Sequence, residues 1–531
     1  MYKIIYKESP LTAKLFGGMV RRKNMTSSTV GIIVAISVYL ASTIIIGFLF
    51  SKKNSTTDDF YLGGRKMGPI VTAMSAEASD MSSWLLMGLP GVALAAGLAE
   101  AAWTAIGLAA GTWLNWFFVS RRLRRYSQEL NAITVPSFFA KRFHDKKNII
   151  TAISAFIIVV FFVPYAGSGF AACGKLFNSL FHVDYKTAMI ISAVIIVTYT
   201  IMGGFKAVCT TDLIQSIVMS IALVTIVGFG VYKAGGFAAV IDNAKELPGY
   251  LNLTSTYDTA GGKAVSYNAR SILSCLIWGV GYFGIPHVLV RFMAIKDEKK
   301  LVISRRIASI WVVIAMGVAV FVGLVGNAMI ANQSLEPLAD SETVIISIAD
   351  LISKNGFAAA LLAGVILAGI LAATMSTADS QLLAASSGVS ENILKDFFKV
   401  KMSEKKSIFI AKITVVIIGA IGVIIALNPD SSVFKIVSFA WAGFGGAFGA
   451  VILLSLFWKR CNLAGALSGM LVGAITTFVW KFAIKPLGGF FDIYELLPAF
   501  ILSALTIVIV SLCTKAPSQE IVDEFETAKA K

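Results

Sequence analysis

The ten residues Ser75-Ala76-Glu77-Ala78-Ser79-Asp80-Met81-Ser82-Ser83-Trp84 put two carboxylic acids and four serines in the middle of an otherwise apolar stretch. An ionisable side chain at bilayer depth costs about 2.5–3.5 kcal/mol on insertion scales and marks a functional position by default. Working outward, apolar windows of about twenty residues, enough to cross about 30 Å of hydrocarbon, begin near Ser28, Gly68, Ala101, Ile149, Thr187, Leu213, Ser271, Ala308, Phe357, Ile408, Val433, Ala464 and Leu497. With 57% hydrophobic and only 14% charged residues, the chain reads as an all-α integral membrane protein of about thirteen transmembrane helices.

Lys and Arg in the short loops set the sidedness. Arg121-Arg122-Leu123-Arg124-Arg125, followed by Lys141, Arg142, Lys146 and Lys147, marks the loop after the third span as cytoplasmic. Counting from it, Lys52 with Lys53, the run from Lys299 to Arg306, the run from Lys395 to Lys406, and Lys459 with Arg460 fall on the same side, and the acidic stretch from Glu336 to Asp350 falls opposite. An odd number of spans places the N-terminus outside and the C-terminus in the cytoplasm of a multi-pass plasma-membrane protein. Lys3, Lys7, Lys14, Arg21, Arg22 and Lys23 disagree with that assignment, and a start at Met25 removes the conflict. Residues 1–27 are therefore expected to be a disordered basic extension, 28–513 a single transmembrane domain, and 514–531 a short cytoplasmic tail too small to fold alone.

Several function classes drop out. The net charge of +16 is accounted for by inner loops facing anionic headgroups, so no nucleic-acid partner is needed. Cys173, Cys209, Cys275, Cys461 and Cys513 are scattered, and His144, His182 and His287 lie far apart, which gives no metal-type spacing. No nucleotide-binding loop of the G-x-x-x-x-G-K type is expected, and no catalytic constellation, so the chain is not expected to be an enzyme.

Two spans have discontinuous apolar character. One is the second, around Asp80; the other is the ninth, where Ala373, Ser376, Thr377 and Asp379 fall within one apolar run. Broken helices inside a membrane are tolerated where the freed backbone groups line a cavity or meet an ion. A hard monovalent cation takes oxygen ligands. The second span offers the carbonyls of Ala78 and Met81 and the Asp80 carboxylate. The ninth offers the Ala373 carbonyl and the Ser376 and Thr377 hydroxyls, at i, i+3 and i+4 on one helix face. Hydroxyls in membrane helices also bond the carbonyl a turn back or join neighbouring helices. Asp80, with no Lys or Arg nearby in its helix, favours the cation. In the seventh span Trp278, Tyr282 and Pro286 recur at i, i+4 and i+8. They make an aromatic face ended by a helix break, suited to a small, partly apolar solute or to an interface belt. Tyr165, after Pro164 in the fourth span, is another kink with an aromatic beside it.

From about Thr26 to Leu512 the chain resembles the sodium/solute symporter family. The resemblance rests on F-Y-L-G-G-R at Phe60 to Arg65, S-D-M-S-S-W-L-L-M-G-L-P-G at Ser79 to Gly91, W-G-V-G-Y-F-G-I-P-H at Trp278 to His287, R-F-M-A at Arg291 to Ala294, and A-A-T-M-S-T at Ala372 to Thr377. It implies a five-plus-five inverted-repeat core of the leucine-transporter type, formed by spans 2–6 and 7–11. It implies sodium as the co-transported ion and the one metal involved, and uptake of a small organic solute, L-proline being expected, by alternating access. The lipid bilayer, the solute and sodium are then the partners, with no obligatory protein partner. Carried over by position, sodium would be held by Ala78, Met81, Ala373, Ser376 and Thr377, with Asp80 required for its action. The solute would be held by Ser82, Trp84, Tyr165, Trp278, Tyr282 and Pro286. Arg65 and Asp212, placed in or near inner-side loops, would serve gating or coupling.

Glu77, Ser83 and Asp379 depart from the family pattern, which has small residues there. Glu77 and Asp80 share a helix face. One of them is then protonated or holds a second cation, or Glu77 is solvated in an inner vestibule and acts in coupling. Rival readings are a symporter of another amino acid, a carboxylate, a sugar or a vitamin, a sensor that binds solute without moving it, and an ion channel.

Overall fold

The structure, a computed structural model, describes residues 27–51, 56–428 and 432–530. The expected basic extension thus lies outside the described residues up to residue 26, and Ser27 opens the first helix. In chain order the helices are α1 (Ser27–Ser51), α2 (Thr57–Leu62), α3 (Pro69–Ser83), α4 (Leu89–Ala96), α5 (Leu98–Leu114), α6 (Ser120–Glu129), α7 (Val135–Arg142), α8 (Ile149–Phe181), α9 (Tyr185–Lys233) and α10 (Phe237–Glu246). They continue as α11 (Ala269–Leu276), α12 (Pro286–Ala294), α13 (Leu301–Ala331), α14 (Val344–Ser353), α15 (Phe357–Ser387), α16 (Glu404–Ile425), α17 (Val433–Phe444), α18 (Ala450–Phe457), α19 (Leu463–Val479), α20 (Leu496–Cys513) and α21 (Gln519–Ala530). One antiparallel hairpin, β1 (Ser255–Asp258) with β2 (Lys263–Ser266), sits in the long polar connection before α11.

Among the described residues nine helices are long and apolar enough to cross a membrane, or ten if the pair through Ala269–Gly284 and Pro286–Ala294, bent by 48°, is one span. The expected thirteen is not confirmed on that measure, for three physical reasons. The second span is divided at Ser82 and carries Glu77 and Asp80. The third carries Glu100 and Asn115 among Gly, Thr and Trp residues, which dilutes its apolar character, and it runs on through a π-helical turn, Asn115–Val119. The fifth and sixth run on as one 49-residue helix, α9. At about 1.5 Å per residue α9 is far longer than one crossing requires. It turns at Gly204, whose φ of 64° and ψ of −177° only glycine adopts readily.

The centre of the molecule is α15, which packs on α1, α3, α8 and α9. Its Ala- and Gly-rich sequence lets these helices come close, and every residue from Ile366 to Leu383 is buried. Contrary to the expectation, the string Gly169 to Lys175 does have the G-x-x-x-x-G-K spacing, but Leu176 follows it and it lies inside α8, where its N–H groups are spent on the helix. The tail forms α21, which lays Ile521, Phe525 and Ala528 inward, with Phe525 against Tyr126 of α6 at 6.4 Å. On its other side Glu524 meets His144 Nε2 at 3.0 Å and Glu520 meets Nδ1 at 3.8 Å. The two carboxylates address different ring nitrogens, a geometry of ion pairing rather than of a shared metal.

Candidate cation and solute site

The break expected in the second span falls at Ser82, which has φ 42° and ψ −171° inside an otherwise helical run. A non-glycine residue there costs of order 1–3 kcal/mol and persists only where its surroundings hold it. Here they do. The Trp84 N–H donates to the Met81 carbonyl and, at 3.3 Å, to Ser82 Oγ, while the Tyr165 hydroxyl of α8 donates to the Asp80 carbonyl at 3.2 Å. Serine suits the position because its side chain replaces a ladder bond locally.

The ninth span, α15, is unbroken through Ala373, Ser376, Thr377 and Asp379, contrary to the expectation of a second discontinuity there. Its hydroxyls bond back to the helix instead: Thr377 Oγ1 to the Ala373 carbonyl at 3.1 Å, Ser380 Oγ to the Ser376 carbonyl at 2.8 Å, and Thr374 Oγ1 to Ile370 at 2.9 Å. The second discontinuity lies in the seventh span. There the Gly-rich segment from Trp278 winds as a 3-10 helix, Ile277–Gly284, before Pro286 starts α12. Gly279 is needed for this close passage, since a Cβ on it would stand 2.0 Å from the Gly107 carbonyl oxygen of α5.

The unbroken α15 nevertheless meets the broken α3. Ser376 Oγ donates to the Ala78 carbonyl at 2.8 Å and lies 3.1 Å from the Ala373 carbonyl, which Thr377 also reaches. Ala78, Ala373, Ser376 and Thr377 therefore converge on one spot. Met81 and Asp80 are differently engaged: the Met81 carbonyl holds the Trp84 N–H, and the Asp80 carboxylate accepts from the Tyr282 hydroxyl. Residues two apart on a helix project about 200° apart around it. The Asp80 side chain accordingly turns from the Ala78 side toward the seventh span.

Trp84 and Trp278 face each other across the two breaks, ring centroids 6.2 Å apart. Phe434 of α17 lies 5.2 Å from Trp278 and 6.5 Å from Trp84, and Tyr494 stacks on Trp278 at 5.4 Å. Trp441 donates to the Trp278 carbonyl at 2.7 Å and packs edge-on to Tyr282 at 5.0 Å. Ser82, Trp84, Tyr165, Trp278 and Tyr282 thus share one aromatic region. Pro286 is elsewhere, lining a cleft with Tyr61, His287, Arg291 and Ser380. Phe434, Trp441 and Tyr494 were missed in the sequence, because nothing in the spacing of one span says which distant span stacks on it.

Glu77 is not solvated. It is 2% exposed, and its Oε1 accepts from Trp116 Nε1 at 2.9 Å. Asp212 is also placed otherwise than expected: it lies within α9, fully buried, and its Oδ2 accepts from Ser75 Oγ at 2.6 Å and from Arg291 at 3.2 Å. Arg291 extends that network to Ser380, whose hydroxyl also meets Asp379 at 3.2 Å. Arg65, in the turn after α2, donates to the carbonyls of Met293, Ser127 and Ala132 at 2.8, 3.0 and 2.6 Å and so ties α12 to the end of α6. Burial lowers its pKa to about 10, which still leaves it charged at neutral pH. At the opposite end Lys175 bonds Asp340 and Glu342, each at 2.8 Å, and Glu342 accepts from Ser432 at 3.1 Å, two residues before Phe434.

Comparison with known proteins decides what this arrangement belongs to. Residues 60–473 match the model of the sodium:solute symporter family. The chain is a member of that family. Its curated relatives include the sodium/proline symporter of Salmonella typhimurium, 40% identical over 94% of this chain and 96% of that protein. They also include the osmoregulated proline transporter OpuE of Bacillus subtilis, 40% identical over 92% of this chain and 96% of that one. Among solved structures, a substrate-bound outward-open Na+-coupled sialic acid symporter aligns with a TM-score of 0.76 at 19% identity, over 92% of this chain and 99% of its own. Mhp1, a nucleobase-cation-symport-1 family transporter, aligns at 0.54 and 14% identity, over 88% and 98%. At such identities the structural likeness speaks for the fold, which is the leucine-transporter type expected from the sequence. In this symporter the broken members are the first helices of the two expected repeats, spans 2 and 7, while the span carrying Ser376 and Thr377 stays whole.

Proposed function

We propose that this sodium:solute symporter takes up L-proline together with sodium across the plasma membrane by alternating access. Its N-terminus would lie outside and its C-terminus, with α21, in the cytoplasm, and residues 28–513 would act as one transmembrane unit. The observation that carries the reading is the Ser376 hydroxyl bridging the Ala78 and Ala373 carbonyls beside two facing tryptophans. These oxygens and the Thr377 hydroxyl are a hard-ligand set, to which the proposal adds the Met81 carbonyl; Asp80, turned to Tyr282, is required for sodium action without being a ligand at this spot. Names of relatives at 40% identity over nearly the whole chain support proline as solute.

In this mechanism sodium replaces the hydroxyl protons as the partner of the two carbonyls. The Ser376 and Thr377 O–H groups turn away and offer lone pairs, so the ion ties α3 to α15. That fixes the Ser82 break and the Trp84 ring that follows it. Proline presents a compact apolar ring to the Trp84 and Trp278 faces, and its carboxylate meets N–H groups at the start of the half-helix after Ser82. Each ligand raises the affinity of the other by the same factor. Arg65 on one side and the Lys175 ion pairs on the other close the two ends in turn.

One charge moving through about 100 mV releases about 2.3 kcal/mol, and a tenfold sodium gradient adds about 1.4 kcal/mol. The total of about 3.7 kcal/mol supports roughly 500-fold accumulation with one sodium per solute. Labelled proline uptake into proteoliposomes, with and without an inward sodium gradient and against a panel of competing solutes, tests the proposal. Uptake that ignores sodium, or a competitor that excludes proline at far lower concentration, refutes it.

A further inference from the structure

Glu77 is a buried carboxylate that the proposed sodium and proline contacts leave without a task. It belongs to a group of oxygens enclosed between α3, α5 and the 3-10 segment of the seventh span. Glu77, Asp80, Thr112 and Asn115 are each 1–2% exposed. Two bonds bind the group together: Trp116 holds Glu77 Oε1 at 2.9 Å, and Asn115 Nδ2 donates to the Tyr282 carbonyl at 3.0 Å. The Tyr282 hydroxyl in turn bonds Asp80 Oδ2. Glu77 lies near enough to act electrostatically on both Asp80 and Tyr282, and the Thr112 side chain neighbours the Tyr282 hydroxyl.

What remains is three carbonyl or carboxylate oxygens and one hydroxyl. Glu77 Oε2, Asp80 Oδ1, Asn115 Oδ1 and Thr112 Oγ1 have no hydrogen-bond partner. Their spacing is ordered. Glu77 and Asp80 are i and i+3 on α3, Thr112 and Asn115 are i and i+3 along the third span, and both pairs share a helix face. Asp212, a buried acid of α9, has Arg291 against it. Glu77 and Asp80 instead meet uncharged donors, Trp116 and Tyr282. Buried charge without a counter-charge is strongly destabilising, and an all-oxygen set with neither sulfur nor imidazole suits a hard alkali cation.

We infer that Glu77, Asp80, Asn115 and Thr112 hold a second alkali cation, distinct from the one bridging Ala78 and Ser376, so that two positive charges accompany each solute molecule. The second ion links α3 to the third span, as the first links α3 to α15. The broken helix is then fixed from both sides when both sites are filled. The inference rests on the symport reading above and deepens it by setting the ratio of ion to solute.

The test is the voltage at which net flux vanishes in proteoliposomes with equal sodium on both sides and a tenfold proline gradient. That gradient is balanced at about 59 mV if one charge moves per solute and at about 30 mV if two move. The wild-type protein is expected to balance at about 30 mV and Glu77→Gln at about 59 mV. Thr112→Val, which keeps the shape of the side chain, is expected to raise the sodium concentration for half-maximal uptake about tenfold. Its reading stands even where Glu77→Gln does not yield folded protein. Wild-type balance at 59 mV overturns the inference and leaves proline symport intact; so does a Glu77→Gln variant that still balances at 30 mV. Balance at 30 mV that shifts with a pH gradient at constant sodium also overturns it, since Glu77 then carries a proton. Absence of any sodium-driven proline flux overturns the symport reading and the inference together.

Discussion

Replacing Ser376 by alanine removes the one hydroxyl that touches both α3 and α15 at the convergence of oxygens. Ser376 Oγ lies 2.8 Å from the Ala78 carbonyl and 3.1 Å from that of Ala373. In the sodium-bound form the same oxygen is a ligand to a full charge, and interactions of polar groups with charged partners are worth about 1.5–3 kcal/mol each. The sodium concentration for half-maximal proline uptake is therefore expected to rise by about 10- to 150-fold. The proline concentration for half-maximal uptake, measured at saturating sodium, should change by less than about threefold, because the aromatic region is untouched. Ser376→Thr keeps the hydroxyl and should recover most of the affinity. Thr377→Ala, whose hydroxyl reaches only Ala373, should fall short of Ser376→Ala, and the pair together should exceed either. The assay is initial-rate uptake of labelled proline across a sodium series, with monodispersity in detergent as the control for folding. An unchanged sodium dependence in Ser376→Ala, with uptake intact, refutes the assignment of the ion to this meeting point of α3 and α15.

Trp278→Ala removes the ring that lies against Trp84, Phe434 and Tyr494 and should weaken proline about tenfold or more with little change in sodium dependence, as read by competition at saturating sodium. Asp212→Asn leaves the Arg291 guanidinium buried with its closest counter-charge neutralised, which should cost about 3–5 kcal/mol and lower the thermal unfolding midpoint; an unchanged midpoint would mean that Asp379 compensates. Gly111→Ala would place a Cβ 2.2 Å from the Gly279 carbonyl oxygen, so it should abolish monodisperse protein on size-exclusion chromatography, and normal yield would contradict the close approach of the third and seventh spans.

The residues that met at the site were chosen by chemistry visible in the sequence, and the places where the reading diverged share one cause. Ser82 breaks its helix as the polar stretch around Asp80 foretold, since a serine-rich, acid-bearing segment cannot be an ordinary lipid-facing rod. The ninth span carries the same residue types and remains a helix, because its hydroxyls find carbonyls a turn back on an Ala-rich backbone. Composition does not distinguish those two outcomes. Glu77 illustrates the same limit: its spacing from Asp80 was plain, but whether water reached it depended on Trp116, which comes from another span.

By itself the sequence determined that the chain lives in a bilayer and which oxygens are available to a cation, because hydrophobic length and local residue type are properties of contiguous stretches. Tertiary structure alone decided which of those oxygens share a place. The Ala78 carbonyl and the Ser376 hydroxyl are 298 positions apart and touch, while Asp80, two residues from Ala78, turns to Tyr282 instead. Packing of distant helices selects one face of each, and the direction in which a side chain leaves its helix then settles which partner it meets.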